Sequence, residues 1–120
     1  ACAAQAQLKV IIESGELKTD ELITKATNLA IQGGADFVKT STGKVAVNAT
    51  LEATKVMLSA IKQSGEVVGF KAAGGVKTVA DTKDYLALTR SIMGDDYLQA
   101  DTFRFGASSL LSDVYKVLEK

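Results

Sequence analysis

Apolar positions along the chain fall into two alternating kinds of run. Leu8 to Glu13 (LKVIIE), Asp36 to Thr40 (DFVKT), Val67 to Ala72 (VVGFKA) and Thr102 to Phe105 (TFRF) are short and rich in apolar, β-branched and aromatic residues, the make-up of strands in a parallel sheet covered by helices. Longer stretches between and after them carry helical spacing. Thr19 is placed to cap a helix running to Gln32, with Asp20 and Glu21 in its first turn, Leu22, Ala26, Leu29 and Ala30 on its buried face, and Gly33 and Gly34 at its stop. A second helix starts near Thr50, carries Ala53, Val56, Met57, Ala60 and Ile61 at helical intervals, and ends at Ser64 and Gly65. A third opens at Thr78, with Asp81 three positions on as an approximate capping box, and ends at Gly94. The fourth follows Gly106 and is expected to bury Leu110, Leu111, Val114, Tyr115 and Leu118. This alternation specifies a single α/β domain over residues 1–120, βαβαβαβα with right-handed parallel crossovers. Such folds bind ligands at the C-terminal ends of their strands, where each unit here places Gly, Ser or Thr.

Composition narrows the function classes. With 14 basic and 14 acidic side chains and no block of like charge, nothing marks a nucleic-acid track or an anionic membrane surface. Cys2 alone cannot close an internal disulfide, and a chain without His offers no zinc, haem or iron–sulfur ligand set and no His-dependent triad. No metal or cofactor is expected. No apolar run approaches the ~20 residues of a membrane span, and no secretory signal opens the chain, so a soluble cytoplasmic protein is expected. The helix-like start at Ala1 without an initiator Met, and the absence of Pro, suggest a processed, cut or engineered chain.

Each expected strand carries one cation: Lys9, Lys39, Lys71 and Arg104. An unpaired ammonium has little room in a sheet buried on both faces, since its burial costs several kcal/mol or more. If the strands form the wall of a barrel, alternation can turn these side chains toward a polar interior. For Lys9 the ordinary reading is a stem snorkelling at a sheet edge. Lys39 and Lys71 end adjacent strands, where a neighbouring cation and partial burial both disfavour ammonium, so one of them can become a neutral amine that attacks a carbonyl. A structural ion-pair role is the alternative. Three glycine-bearing loops, Ser41-Thr42-Gly43-Lys44, Gly74-Gly75-Val76-Lys77 and Gly106-Ala107-Ser108-Ser109, offer backbone donors, charge and a helix start suited to phosphate. Taken singly, each loop also reads as turn and cap chemistry. Neither a P-loop nor a dinucleotide fingerprint is present.

Taken in order, LKVIIESGEL, GADFVKTSTGK, VGFKAAGGV and RFGASSLL closely resemble the deoxyribose-phosphate aldolase family over nearly the whole chain. The resemblance implies the (β/α)4 half of a TIM (β/α)8 barrel, strands five to eight, and reversible cleavage of 2-deoxyribose 5-phosphate to acetaldehyde and glyceraldehyde 3-phosphate without a cofactor. It implies Lys39 as the Schiff-base nucleophile, Lys71 as the neighbour that lowers its pKa and assists proton transfer, and Lys9 as a lining residue of the same interior. Phosphate contacts are implied for Gly43, Lys44, Gly74, Gly75, Val76, Lys77, Gly106, Ser108 and Ser109. The sequence departs from the family at Ala72, where GFKPAGG has Pro, and at Lys77, where many members have Arg. Counterparts of strands one to four, including the family's relay aspartate, and of its flexible C-terminal tail are not among these residues.

Two readings follow. One is a Schiff-base aldolase half with impaired turnover, taking a sugar phosphate or inorganic phosphate. The other is a catalytically inactive half barrel that folds and self-associates. A homodimer is expected in either case, because an open half exposes the edges of its first and last strands and an apolar inner face. Closure into an eight-stranded barrel and face-to-face packing of the two inner surfaces are the alternative arrangements.

Overall fold

The computed structural model describes residues 6–17, 19–42, 47–107 and 110–118. The elements run β1 (Lys9–Ile11), α1 (Ser14–Leu17), α2 (Asp20–Gln32), β2 (Phe37–Lys39), α3 (Leu51–Ser64), β3 (Gly69–Ala73), α4 (Val79–Met93), a 3-10 turn (Asp95–Tyr97), β4 (Phe103–Gly106) and α5 (Leu110–Leu118). The strands form one sheet in the order β1-β2-β3-β4, every neighbouring pair parallel. A helical crossover joins each strand to the next, which is the construction of half a (β/α)8 barrel. The strands are shorter than the apolar runs imply. Val67 is 89% exposed and precedes β3, because the chain is still leaving the left-handed cap of α3 at Gly65.

The expected helix starts form by the expected chemistry. Thr19 Oγ1 accepts from the Leu22 amide at 3.2 Å, and Thr50 Oγ1 accepts from Ala53 at 3.0 Å. At Thr78 both bonds of the capping box are made with Asp81, each 3.1 Å long. Each bond satisfies an amide that has no partner inside its own helix.

Two helix faces differ from expectation. On α2 the buried positions are Ile23, Thr27 and Ala30, while Leu22 and Leu29 of the expected face are exposed. The helix can turn Thr27 inward because its hydroxyl donates to the Ile23 carbonyl at 2.8 Å and takes no unpaired donor into the core. On α5, none of the described residues is buried: Leu111 is 62% exposed, Tyr115 58% and Leu118 75%. Its apolar stripe has the right spacing, but the last helix of an open half has a neighbour on one flank only.

The core lies between the sheet and the helices. Val38, Phe70 and Ala72 point into it from β2 and β3, and Met57, Leu58 and Ile61 meet them from α3, all essentially inaccessible to water. Phe103 extends the packing toward α4, with Phe70 at 6.0 Å between ring centroids and Phe105 at 5.0 Å edge-on. Tyr97, in the 3-10 turn, donates its hydroxyl to the Val68 carbonyl at 2.7 Å and so ties the return loop to the start of β3.

Leu58→Ala should lower unfolding free energy by roughly 2–5 kcal/mol, the range for a fully buried aliphatic side chain whose site relaxes only in part. Val67→Ala should stay within about 0.5 kcal/mol. Urea titration of both variants beside the parent checks the contrast, and equal effects would place the core elsewhere.

Candidate active site

Laterally paired residues in a parallel sheet share a face, so the registers sort the strand side chains into two sets. Lys9 pairs with Phe37, which pairs with Gly69; Ile11 pairs with Lys39, which pairs with Lys71, which pairs with Arg104. These residues share the face opposite the helix-covered core, and all four strand cations belong to it. The inner surface is therefore cationic, which corrects the expectation of an apolar one. No carboxylate occurs within the four strands.

Lys39, Lys71 and Arg104 form one lateral row, with neighbouring strands about 4.8 Å apart. Lys39 ends β2 as expected. Lys71, expected at a strand end, is central in β3 because that strand continues to Ala73. Both side chains are partly buried, whereas Lys9 is exposed. Burial first, then the like charges of Lys39, Lys9 and Arg104, hold the Lys71 ammonium below the ordinary lysine range. Lys71 also needs a glycine beside it. A Cβ on Gly106 would come within 2.9 Å of Lys71 Cε and 3.0 Å of Ala73 Cβ, so Gly106 provides the space that the Lys71 stem occupies.

Sequence reasoning missed the floor of this face. The Phe37 ring, 1% exposed, has the Arg104 guanidinium 4.6 Å and Lys9 Nζ 5.7 Å from its centroid. Gly69 makes room for that ring, since a Cβ there would meet its edge at 2.5 Å. The available signal was parity: Phe37 lies two residues before Lys39 and so on the same face. Glu13 was also passed over. It adopts φ 53°, a left-handed conformation unusual for a side-chain-bearing residue, and its carboxylate accepts from the Thr42 amide at 3.0 Å and the Thr42 hydroxyl at 2.9 Å. This joins the loop after β1 to the loop after β2. Thr40 Oγ1 joins the next pair, donating to the Ala73 carbonyl at 2.9 Å and accepting from its amide at 3.0 Å.

The Gly74-Gly75 loop requires its glycines. Both residues have positive φ, 86° and 81°, and a Cβ on Gly74 would strike Asn48 Cβ at 2.5 Å and Ser41 Oγ at 2.7 Å. The implied phosphate donors beyond it are modified by the structure. The amides of Lys77 and Thr78 both donate to Asp81 Oδ2, and that of Val79 donates to Asp113 Oδ2 at 2.7 Å. Lys77 can therefore offer an anion its ammonium but not its amide. Gly43, Lys44, Ser108 and Ser109 lie outside the described residues, as does Cys2. The groove between α2 and α3, lined by Asp20, Thr24, Lys55 and Ser59 among others, is on the far side of the sheet from the cations.

A parallel (β/α)4 sheet with laterally paired lysines on its inner face has the architecture of half a (β/α)8 barrel. Comparison with known proteins identifies the lineage: residues 1–115 match the DeoC/LacD family aldolase model, and the chain belongs to that family. It is 58% identical over 118 residues to the deoxyribose-phosphate aldolase of Agrobacterium fabrum, matching 98% of this chain and 46% of that protein. An apo-form crystal structure from Toxoplasma gondii, assigned as a deoxyribose-phosphate aldolase, superposes with a TM-score of 0.88 at 30% identity, covering 97% of this chain and 47% of the other. A Coccidioides immitis structure with the same assignment gives a TM-score of 0.76 at 32% identity, over 94% of this chain and 40% of that one. The chain thus spans about half the length of these relatives.

Asp81 supports a pH test. Hydrogen bonds from the Lys77 and Thr78 amides, together with the Thr78 hydroxyl, hold its carboxyl below the usual carboxylate range. A depressed folded value stabilises the protein above the unfolded carboxylate value of about 3.9, and this is lost as pH falls through the folded value. The advantage of the parent over Asp81→Asn in urea midpoint should be full at neutral pH and disappear in acid. An advantage that persists in strong acid would assign the effect to shape rather than charge.

Proposed function

We propose that this chain supplies the amine wall of a Schiff-base (class I) aldolase of deoxyribose-phosphate type, joining acetaldehyde to glyceraldehyde 3-phosphate and reversing that reaction. The observation that carries the reading is the lateral pairing of Lys39 with Lys71 on the inner face of a family aldolase. In this reading the Lys39 amine adds to the acetaldehyde carbonyl, and the adduct takes up a proton from solvent and loses water, leaving a protonated imine. A methyl proton then passes to the Lys71 amine, whose proton affinity is lowered by burial and the neighbouring cations, so that it can accept the proton and return it. The resulting enamine carbon forms the new bond to the aldehyde carbon of the second substrate, whose oxygen takes up a proton. Water hydrolyses the imine and returns Lys39. This chemistry needs no metal or organic cofactor. Gly43, Lys44, Gly74, Gly75, Val76, Gly106, Ser108, Ser109 and the Lys77 ammonium seat the phosphate, and Lys9 adds positive potential. A single Cys, which cannot close an internal disulfide, suits a reducing cytoplasm.

The test is incubation with limiting acetaldehyde and borohydride followed by peptide mass spectrometry. The expected product carries an ethyl group on Lys39 ahead of other lysines, and Lys39→Ala loses it. Absence of preferential labelling at Lys39 removes the aldolase reading.

The inactive, self-associating half barrel is favoured by a different observation: the inner face offers no carboxylate within its strands to relay a proton. We propose that a second copy closes the barrel in either case. The edges of β1 and β4 are the two ends of the sheet, with Leu22 and Leu29 exposed on α2 at one flank and Leu111, Tyr115 and Leu118 on α5 at the other. A two-fold axis along the barrel sets β4 of one copy beside β1 of the other, twice, with every strand parallel. Face-to-face packing would instead press like-charged rows together. Closure also gathers both cation sets around one lumen, so phosphate should favour it. Light scattering at micromolar protein should show a dimer, more of it with phosphate than with chloride at equal ionic strength, and Leu111→Glu with Tyr115→Glu should dissociate it. A monomer under all of these conditions refutes closure.

A further inference from the structure

The Lys39–Lys71 pair accounts for two of the four inner-face cations, and Lys9 is exposed at the sheet edge; Arg104 is held differently. Its Nε donates to the Ala100 carbonyl at 2.8 Å, and its guanidinium reaches back across β3 to the Phe37 ring, 4.6 Å from the centroid. The ring can lie there because the intervening residue is Gly69. A guanidinium stays protonated throughout the accessible pH range, and a planar fork stacked on a ring and fixed by a carbonyl is more rigid than an ammonium on a free stem. Its register partner is Lys71.

We propose that Arg104 is a positioning residue of the amine site: clamped between Phe37 and Ala100, it fixes a permanent positive charge beside Lys71 and leaves Gly106 as the space into which the Lys71 stem packs. The charged groups acting on Lys71 are Lys39 from β2, Lys9 from β1 and Arg104 from β4, all of one sign. Lys39 and Lys9 carry their charges on flexible stems, whereas the Arg104 charge is fixed in place by the Phe37 ring and the Ala100 carbonyl, so its position beside Lys71 does not vary. Arg104 thereby adds an invariant contribution, after burial and the two lysines, to the lowered proton affinity of the group that the aldolase reading uses for proton transfer, without touching substrate. The inference borrows that reading only for the role of Lys71, because the titration below needs no substrate.

The experiment is an NMR titration of the protein carrying 13C-methylated lysines, with the Lys71 signal assigned through Lys71→Arg. In Arg104→Gln the Lys71 midpoint should move to higher pH, and in Arg104→Lys, which restores the charge without the planar clamp, it should return part of the way. High salt should raise the parent midpoint and change that of Arg104→Gln less. If Arg104→Gln fails to fold, Arg104→Met keeps an unbranched stem over Phe37 and should give the same upward shift. A Lys71 titration unchanged by loss of the charge in the folded variant overturns the proposal. Failure of the borohydride labelling at Lys39 with an intact Arg104 effect would remove the aldolase reading alone.

Discussion

A parallel strand offers each side chain one of two faces, and in this sheet all four strand cations fall on the same one. Stacking them in a dry interior without counter-charges would cost several kcal/mol for each. The sheet avoids that cost by keeping the face partly wet and by giving its outer cations local partners. Lys9 and Arg104 come from strands on either side of the Phe37 ring and converge on it. Arg104 takes a carbonyl as well. The central lysines have no such neighbour among the strands, and Lys71 responds by holding its proton less firmly. Positive charge is thus tied down at the floor and left without such partners above it.

The opposite face follows another rule. Its buried polar atoms are mostly threonine hydroxyls, and Thr27, Thr54 and Thr89 each donate to the carbonyl four residues earlier in the chain. Such bonds are complete within the helix or its cap, so at these positions α2, α3 and α4 turn methyl groups rather than unpaired donors into the core. The core therefore imposes no charge requirement on the sheet. Strand parity separates the apolar core on one face from the cations on the other, and the backbone that joins them includes the row containing Lys39 and Lys71.

What could be read from the sequence depended on range. The Thr19, Thr50 and Thr78 caps are local, made within three residues, and appear where spacing put them. The lysine pair was legible because one cation per strand is unusual and adjacent strands are consecutive in this topology. The buried face of α2 was not, because hydropathy favoured Leu22 and Leu29 whereas packing selected the stripe of Ile23, Thr27 and Ala30, in which a self-satisfied threonine counts as apolar. The exposure of α5 depends on what stands beside its outer flank, which no pattern within the helix can report. Glu13 escaped because its role rests on a left-handed backbone at a charged residue, a conformation with an intrinsic cost of about 1–2 kcal/mol that its two bonds to Thr42 help to offset.

The mouth of the half barrel also shows why its positive charge cannot be replaced by helix ends alone. A helix N-terminus attracts anions through unsatisfied amides and its dipole. At α4 those amides are already engaged, by Asp81 from its own first turn and by Asp113 reaching over from α5. The Asp113 bond fastens the last helix to α4, and with it the chain after β4 to the chain after β3. That fastening places two carboxylates where a phosphate would otherwise find its best donors. At α4, therefore, an anion would have to be drawn by the glycine loop and by side-chain charge rather than by the helix end, and the strand cations lie on the inner side, where parity has gathered them. The arrangement that fastens the helices together would thus direct an anionic ligand toward the face that carries the amines.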